Sequence, residues 1–128
     1  MRINKEKNYE IIINNKNSDI YIKKINDFPD KVDKLIKVTE INFRHGFVIQ
    51  NQTSINTFLL KYNVDIVVTN KRNYVIDTLE SFESNKITSN YKDAKNFFIF
   101  AENTIRFFNI NKSKNITFEK INSKKMKW

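Results

Sequence analysis

The chain alternates short apolar runs with polar punctuation, and few of those runs repeat at the helical period. Residues 9–13 (YEIII) form a β-branched run, the polar stretch 14–19 (NNKNSD) follows, and Ile20, Ile22 and Ile25 come next. Asn and Asp tolerate left-handed backbone and bond their own turns, so this reads as a β-hairpin with a polar loop. Phe28-Pro29-Asp30 then opens a segment with Val32, Leu35, Ile36 and Val38 at near-helical spacing. Pro29 fits the first position of a helix of about two turns. From Gly46 the pattern is strand-like: 47–49, 57–60, 64–68, 74–79, 96–101 and 116–118 are apolar runs, with Asn70-Lys71-Arg72-Asn73 among the turns between them. Residues 81–93 read as a long loop anchored by Ile87, and 105–110 as one or two helical turns.

Short strands with only small helices predict a mainly β, single-domain antiparallel sandwich or barrel-like fold with two small helices. The expected boundaries are a flexible N-terminus over 1–8, one domain over 9–120 and a basic tail over 121–128. A chain of 128 residues buries roughly two thirds of its unfolded surface, enough for a core without staples. Phe97 and Phe98, adjacent in one run, must point to opposite faces of their sheet.

Composition changes the picture in two ways. There is no cysteine, which excludes disulfide frameworks, thiolate metal sites and cysteine nucleophiles. No apolar run approaches the roughly 20 residues needed for a transmembrane helix, and the N-terminus is a poor secretory signal, so the expected location is cytoplasmic. The formal net charge is +9. Lys, Asn, Ile, Phe and Tyr dominate while Gly and Pro occur once each, the set that AT-rich codons specify. The basic balance is therefore either coding drift or the mark of a polyanion partner.

Candidate chemistry is sparse. Asp65 stands inside an apolar run, and a buried carboxylate is costly unless it is paired or hydrogen-bonded. It is either a pocket acid or an acceptor of backbone N–H bonds, with Lys61 or Arg44 as possible ion partners. Glu80 is its conceivable partner for acid–base hydrolysis, although a strand-end glutamate is usually a solvated one. His45, the only histidine, lacks HxH or HxxxH company and reads as a solvated turn residue. Ser54 lacks the glycines of a nucleophile elbow, and a single glycine cannot make a phosphate loop. The aromatics Phe43, Phe47, Phe58, Tyr62, Tyr74, Phe97, Phe98, Phe100, Phe107 and Phe108, interleaved with Lys and Arg, could stack bases, but their strand positions make most of them core.

The segment 54–68, SINTFLLKYNVDIVV, resembles the signature of a bacterial and archaeal family, domain of unknown function 192. Its members read S-I-H-T-F-x-M, then a basic residue, an aromatic, and P-I/L-D before an apolar strand. Ser54, Ile55, Thr57, Phe58, Lys61, Tyr62 and Asp65 keep that pattern. Val75-Ile76, Leu79 and Glu80 match a strand ending in glutamate, Lys86-Ile87-Thr88 an R-I-S element, and Ala94 with FFIFAENTI (97–105) the A-x-x-V-L-E-L-P-A-G-T-I element. The hairpin and the Phe28 helix fall in order, so the resemblance covers residues 9–118. Asn56 replaces a common histidine, Asn63 a proline, Lys34 a glycine, and Ala101 and Asn103 the proline and glycine of the P-A-G-T turn. Asn103 suits a left-handed turn position. The resemblance implies a compact β-rich domain and no particular reaction.

The expected function is a non-catalytic binding or accessory module without a cofactor or metal, monomeric or weakly self-associating, whose partner is a small ligand or a protein. Its candidate ligand-facing residues are Asn56, Phe58, Lys61, Tyr62 and Asp65, which combine donor, acceptor, aromatic and charge in one segment. The alternative is nucleic-acid or other polyanion binding through Lys112, Lys114, Lys120, Lys124, Lys125 and Lys127. The third reading is a carboxylate-dependent hydrolase.

Overall fold

A computed structural model describes residues 8–25, 41–58 and 60–121. It contains seven strands: β1 (Asn8–Ile13), β2 (Lys16–Ile25), β3 (His45–Gln50), β4 (Val64–Thr69), β5 (Val75–Phe82), β6 (Asn96–Phe100) and β7 (Ile116–Lys120), with a short helix α1 (Thr104–Phe107) before β7. They form one sheet in the order β5-β4-β6-β3-β2-β1-β7. The expected Phe28 helix and the tail 122–128 lie outside the described residues.

Most neighbours pair antiparallel, but β2 and β3 run parallel, with Ile22 opposite Gly46 and Ile25 opposite Ile49. Parallel strands need a crossover rather than a tight turn, and residues 26–44 separate these two strands in the chain. The expectation of a wholly antiparallel sheet is corrected at that pair. A second correction concerns 57–60. The described residues there form no strand, because Thr57 bonds its backbone to Asn85 and Lys86 while Leu60 N–H turns back to the Thr57 carbonyl. In the β1–β2 hairpin the polar loop shrinks to Asn14 and Asn15, with φ of 48° and 66°. Two successive positive φ values make the primed turn whose twist matches the flanking strands.

Alternation along each strand sorts side chains into two clusters. Ile11, Ile20, Ile22, Val48, Val67, Val75, Phe98, Phe100 and Ile116 draw on all seven strands and form one core with Ile105 and Ile110. Phe47, Ile49, Val64, Ile66, Val68, Phe97 and Ile99 form the other, roofed by Ile55 and Leu60 from the 54–62 segment. Phe97 and Phe98 thus face opposite ways, both fully buried. A cluster fed by every strand implies a curled sheet. The two edge strands meet at its corner, where Tyr74 bridges Asn115 and Ile116 N–H donates to the Asn73 carbonyl at 2.8 Å. Elsewhere the sheet stays open.

Ten described non-glycine residues adopt positive φ, and seven of them are asparagines. Asparagine does here what glycine commonly does elsewhere. The single glycine, Gly46, has a different task. A Cβ there would lie 2.4 Å from the Ile99 carbonyl oxygen and 2.7 Å from a ring carbon of Phe100. The backbone and ring pack onto the bare Cα.

Candidate functional site

The segment 54–65 divides into an inward and an outward half. Ile55, Thr57, Leu60, Val64 and Asp65 are buried, whereas Phe58 and Lys61 are exposed and Asn56 and Tyr62 are half-buried. Thr57 is the hub of the inward half. Its hydroxyl donates to the Glu83 carbonyl at 2.8 Å and accepts from Lys86 N–H at 3.0 Å, while its own N–H donates to the Lys86 carbonyl at 2.7 Å. Thr88 repeats the device, with its hydroxyl accepting Ile55 N–H at 3.1 Å and its N–H donating to the Ile55 carbonyl. Two threonines therefore clamp 54–60 against 83–88, since a hydroxyl can both donate and accept. The sequence reading missed both as fold residues. The signal for Thr57 was its place two residues after Ile55, in the same inward phase.

Asp65 is completely buried. It sits on the face of β4 that also carries Val67, turned away from the cluster against which Tyr62 packs. One carboxylate oxygen accepts Ser81 N–H at 2.9 Å and the other accepts Ile105 N–H at 2.9 Å. Both donors lack a partner without it. Ser81 has φ 49° and lies opposite the irregularity in the β4–β5 register between Val64 and Ile66, where the ladder bond is lost. Ile105 N–H is one of the unpaired donors in the first turn of α1, and Asn103, left-handed at φ 75°, makes no side-chain cap. Asp65 thus supplies from β4 the cap that Asn103 does not. Burial raises its pKa above the ordinary carboxylate value, the N–H groups of Ser81 and Ile105 pull it back, and the charges of Glu80 and Glu102 add to the rise.

Glu10 uses the same device in the hairpin. It is 8% exposed, and its carboxylate accepts from the Asn17 side chain at 2.8 Å and from Asp19 N–H at 3.1 Å. Asp19 has φ 62° beside the irregularity between Glu10 and Ile12. Each buried acid therefore ties down a left-handed residue where strand pairing slips.

The remaining candidates fall in separate places. Asn56 bridges Ile87, its side-chain oxygen accepts Phe58 N–H at 3.3 Å, and Phe58 is 55% exposed. Burial raises the Tyr62 phenol above its ordinary pKa. Ile87, expected as an anchor, is 62% exposed, so the loop is held by Thr88 instead. Glu80 is close enough for its charge to act on Asp65, but its carboxylate lies 3.4 Å from the Arg106 guanidinium. Both Asp65 oxygens are occupied beneath a closed surface, so the two acids do not form an exposed catalytic pair. His45 opens β3, exposed, with Nδ1 3.2 Å from the Phe43 carbonyl oxygen. Among the described residues no three His, Asp or Glu side chains converge as metal ligands, and no helix is long and apolar enough to cross a membrane. Lys112 and Lys120 are exposed and Lys114 is half-buried, while Lys124, Lys125 and Lys127 lie outside the described residues.

No family model matches the chain, and no curated protein matches it. Solved structures do share its fold. A "putative transcription regulator" from Sinorhizobium meliloti 1021 superposes with a TM-score of 0.72 at 9% identity, covering 89% of this chain and 94% of that one. A protein of unknown function from Novosphingobium aromaticivorans superposes with a TM-score of 0.67 at 7% identity, covering 86% and 83%. At such identities the likeness is one of fold alone, and it extends over nearly the whole domain.

Proposed function

We propose that the chain is a divergent member of domain of unknown function 192 and acts as a non-catalytic binding or accessory module. The ordered signature elements support membership. So does Asn103, which adopts φ 75° where the family carries glycine. The observation that carries the functional reading is the split within 54–65. Its inward residues are consumed by the fold, leaving Asn56, which bridges Ile87, and the exposed Phe58 and Lys61 displayed on a loop pair clamped by Thr57. A rigid loop presenting an aromatic, an aliphatic and a cation is suited to a partner surface or a flat ligand. Asp65 belongs to the support of that surface rather than to its contact face.

Photo-crosslinking tests the reading. A benzophenone side chain placed at position 58 should give a discrete adduct in cells, and the same group at the exposed position 71 should not. Equal labelling from both positions, or none from position 58, would refute the contact surface. Polyanion binding through Lys112, Lys114 and Lys120 is a second reading. It is favoured by the formal net charge of +9 and the exposure of Lys112 and Lys120.

A further inference from the structure

Phe43 and Phe107 are 43% and 61% exposed, yet they are not scattered surface residues. Their ring centroids are 5.0 Å apart at 85°, and Phe108 lies 4.9 Å from Phe107. Phe108 roots the group, packing on the core cluster that all seven strands build. The Arg44 guanidinium carbon stands 5.5 Å from the Phe43 centroid, 5.8 Å from Phe107 and 5.3 Å from Phe108. One cation therefore lies within cation–π range of three rings.

Arg44 is itself held in a strained backbone. Its φ is 68°, a conformation filled elsewhere in the described residues by Asn, Asp or Ser. Such a position costs a long side chain about 1 kcal/mol and persists only where the surroundings impose it. Here Tyr21 N–H donates to the Arg44 carbonyl at 2.9 Å, and the guanidinium donates to the Ser18 carbonyl at 3.1 Å, so both ends are pinned to β2. Arg106, which precedes Phe107 in α1, is 79% exposed and shares only the solvated pair with Glu80, which a competing anion can displace at small cost.

We infer that this cluster is a stacking platform for a single-stranded polynucleotide, with bases laid on Phe43 and Phe107 and phosphates met by Arg44 and Arg106. The exposed parts of the Phe43 and Phe107 rings suit any unpaired base, the pinned Arg44 and the exposed Arg106 suit the backbone, and the net charge of +9 complements a polyanion. A duplex hides its base faces and gains only the charge term. The platform is separate from the proposed contact surface, because Phe58 belongs to the loops over the opposite cluster.

Fluorescence anisotropy with short labelled oligo-dT and oligo-U, and with a duplex of equal length, tests this at low and physiological salt. Both single strands should bind more tightly than the duplex. Phe107→Ser should weaken single-strand binding about 5- to 100-fold at unchanged thermal stability and salt slope. Phe43→Ser should act alike, and Arg106→Gln should lower the salt slope by about one. Phe58→Ser should leave oligonucleotide binding unchanged, which keeps this test independent of the loop surface. Undetectable binding at low salt, equal affinity for the duplex, or native affinity in both phenylalanine variants overturns the inference. So does a Phe107→Ser protein that keeps its oligonucleotide and loses a protein partner.

Discussion

Removing the Asp65 carboxylate should destabilise the domain by an amount that its two hydrogen bonds set. In Asp65→Ala the N–H groups of Ser81 and Ile105, each bound at 2.9 Å, lose their acceptor inside the protein. An unsatisfied buried donor such as Ile105 N–H costs about 1–3 kcal/mol, whereas Ser81 is exposed and water replaces part of its lost bond, so the pair costs about 1–4 kcal/mol before the small cavity is added. Against a total of about 5–15 kcal/mol this is a large share of stability. Asp65→Asn keeps the volume and one acceptor but turns an NH2 toward the second donor, and should lose about 1–3 kcal/mol. Urea unfolding followed by circular dichroism measures both. With a slope near 2 kcal/mol per molar, the alanine midpoint should fall by about 0.5–2 M.

The pH dependence adds a sharper test. Burial raises the folded-state pKa of Asp65, so the native state holds this proton more firmly than the unfolded chain does. Its contribution to stability is then fully present below the unfolded-state pKa and declines as pH rises through the folded one. The gap between native protein and Asp65→Asn should therefore widen from neutral pH toward the ordinary carboxylate range. A gap that narrows on acidification would mean that the two N–H donors outweigh burial. An alanine variant within about 0.5 kcal/mol of native would refute the structural role altogether.

Three further outcomes follow from the packing and hydrogen bonds described above. Gly46→Ala drives a methyl into the Ile99 carbonyl oxygen and the Phe100 ring, and should cost about 1–3 kcal/mol or more in chemical denaturation, as overpacking does. Asn103→Gly should be neutral or slightly stabilising, while Asn103→Val, forced to φ near 75°, should cost at least about 1–2 kcal/mol by thermal unfolding. Thr57→Val leaves Lys86 N–H without its hydroxyl acceptor, and should cost about 1–3 kcal/mol and raise amide exchange across 83–88.

Strand content was legible because the apolar runs are short, β-branched and separated by Asn-rich turns, and β1, β4, β6 and β7 fall within a few residues of the runs that predicted them. The parallel β2–β3 pair was not legible, since a connection's length does not say which way the next strand enters. Residues 57–60 looked like a strand by composition, but Thr57 spends its backbone on a loop, which only the partner loop could reveal. Asp65 was recognisable as an acid in an apolar run. Its two donors lie 16 and 40 residues away, so its role depended on the fold. Ile87 misled because hydrophobicity alone does not distinguish an anchor from a displayed residue.

Amide hydrogen exchange at Ser81 and Ile105 tests the central assignment of Asp65 most directly. If the carboxylate is spent on the fold, both amides exchange as slowly as the core of β4 and β6, and both lose that protection in Asp65→Ala. Rapid exchange at both sites in the native protein would leave the carboxylate unengaged, and would return Asp65 to the list of groups open to a ligand.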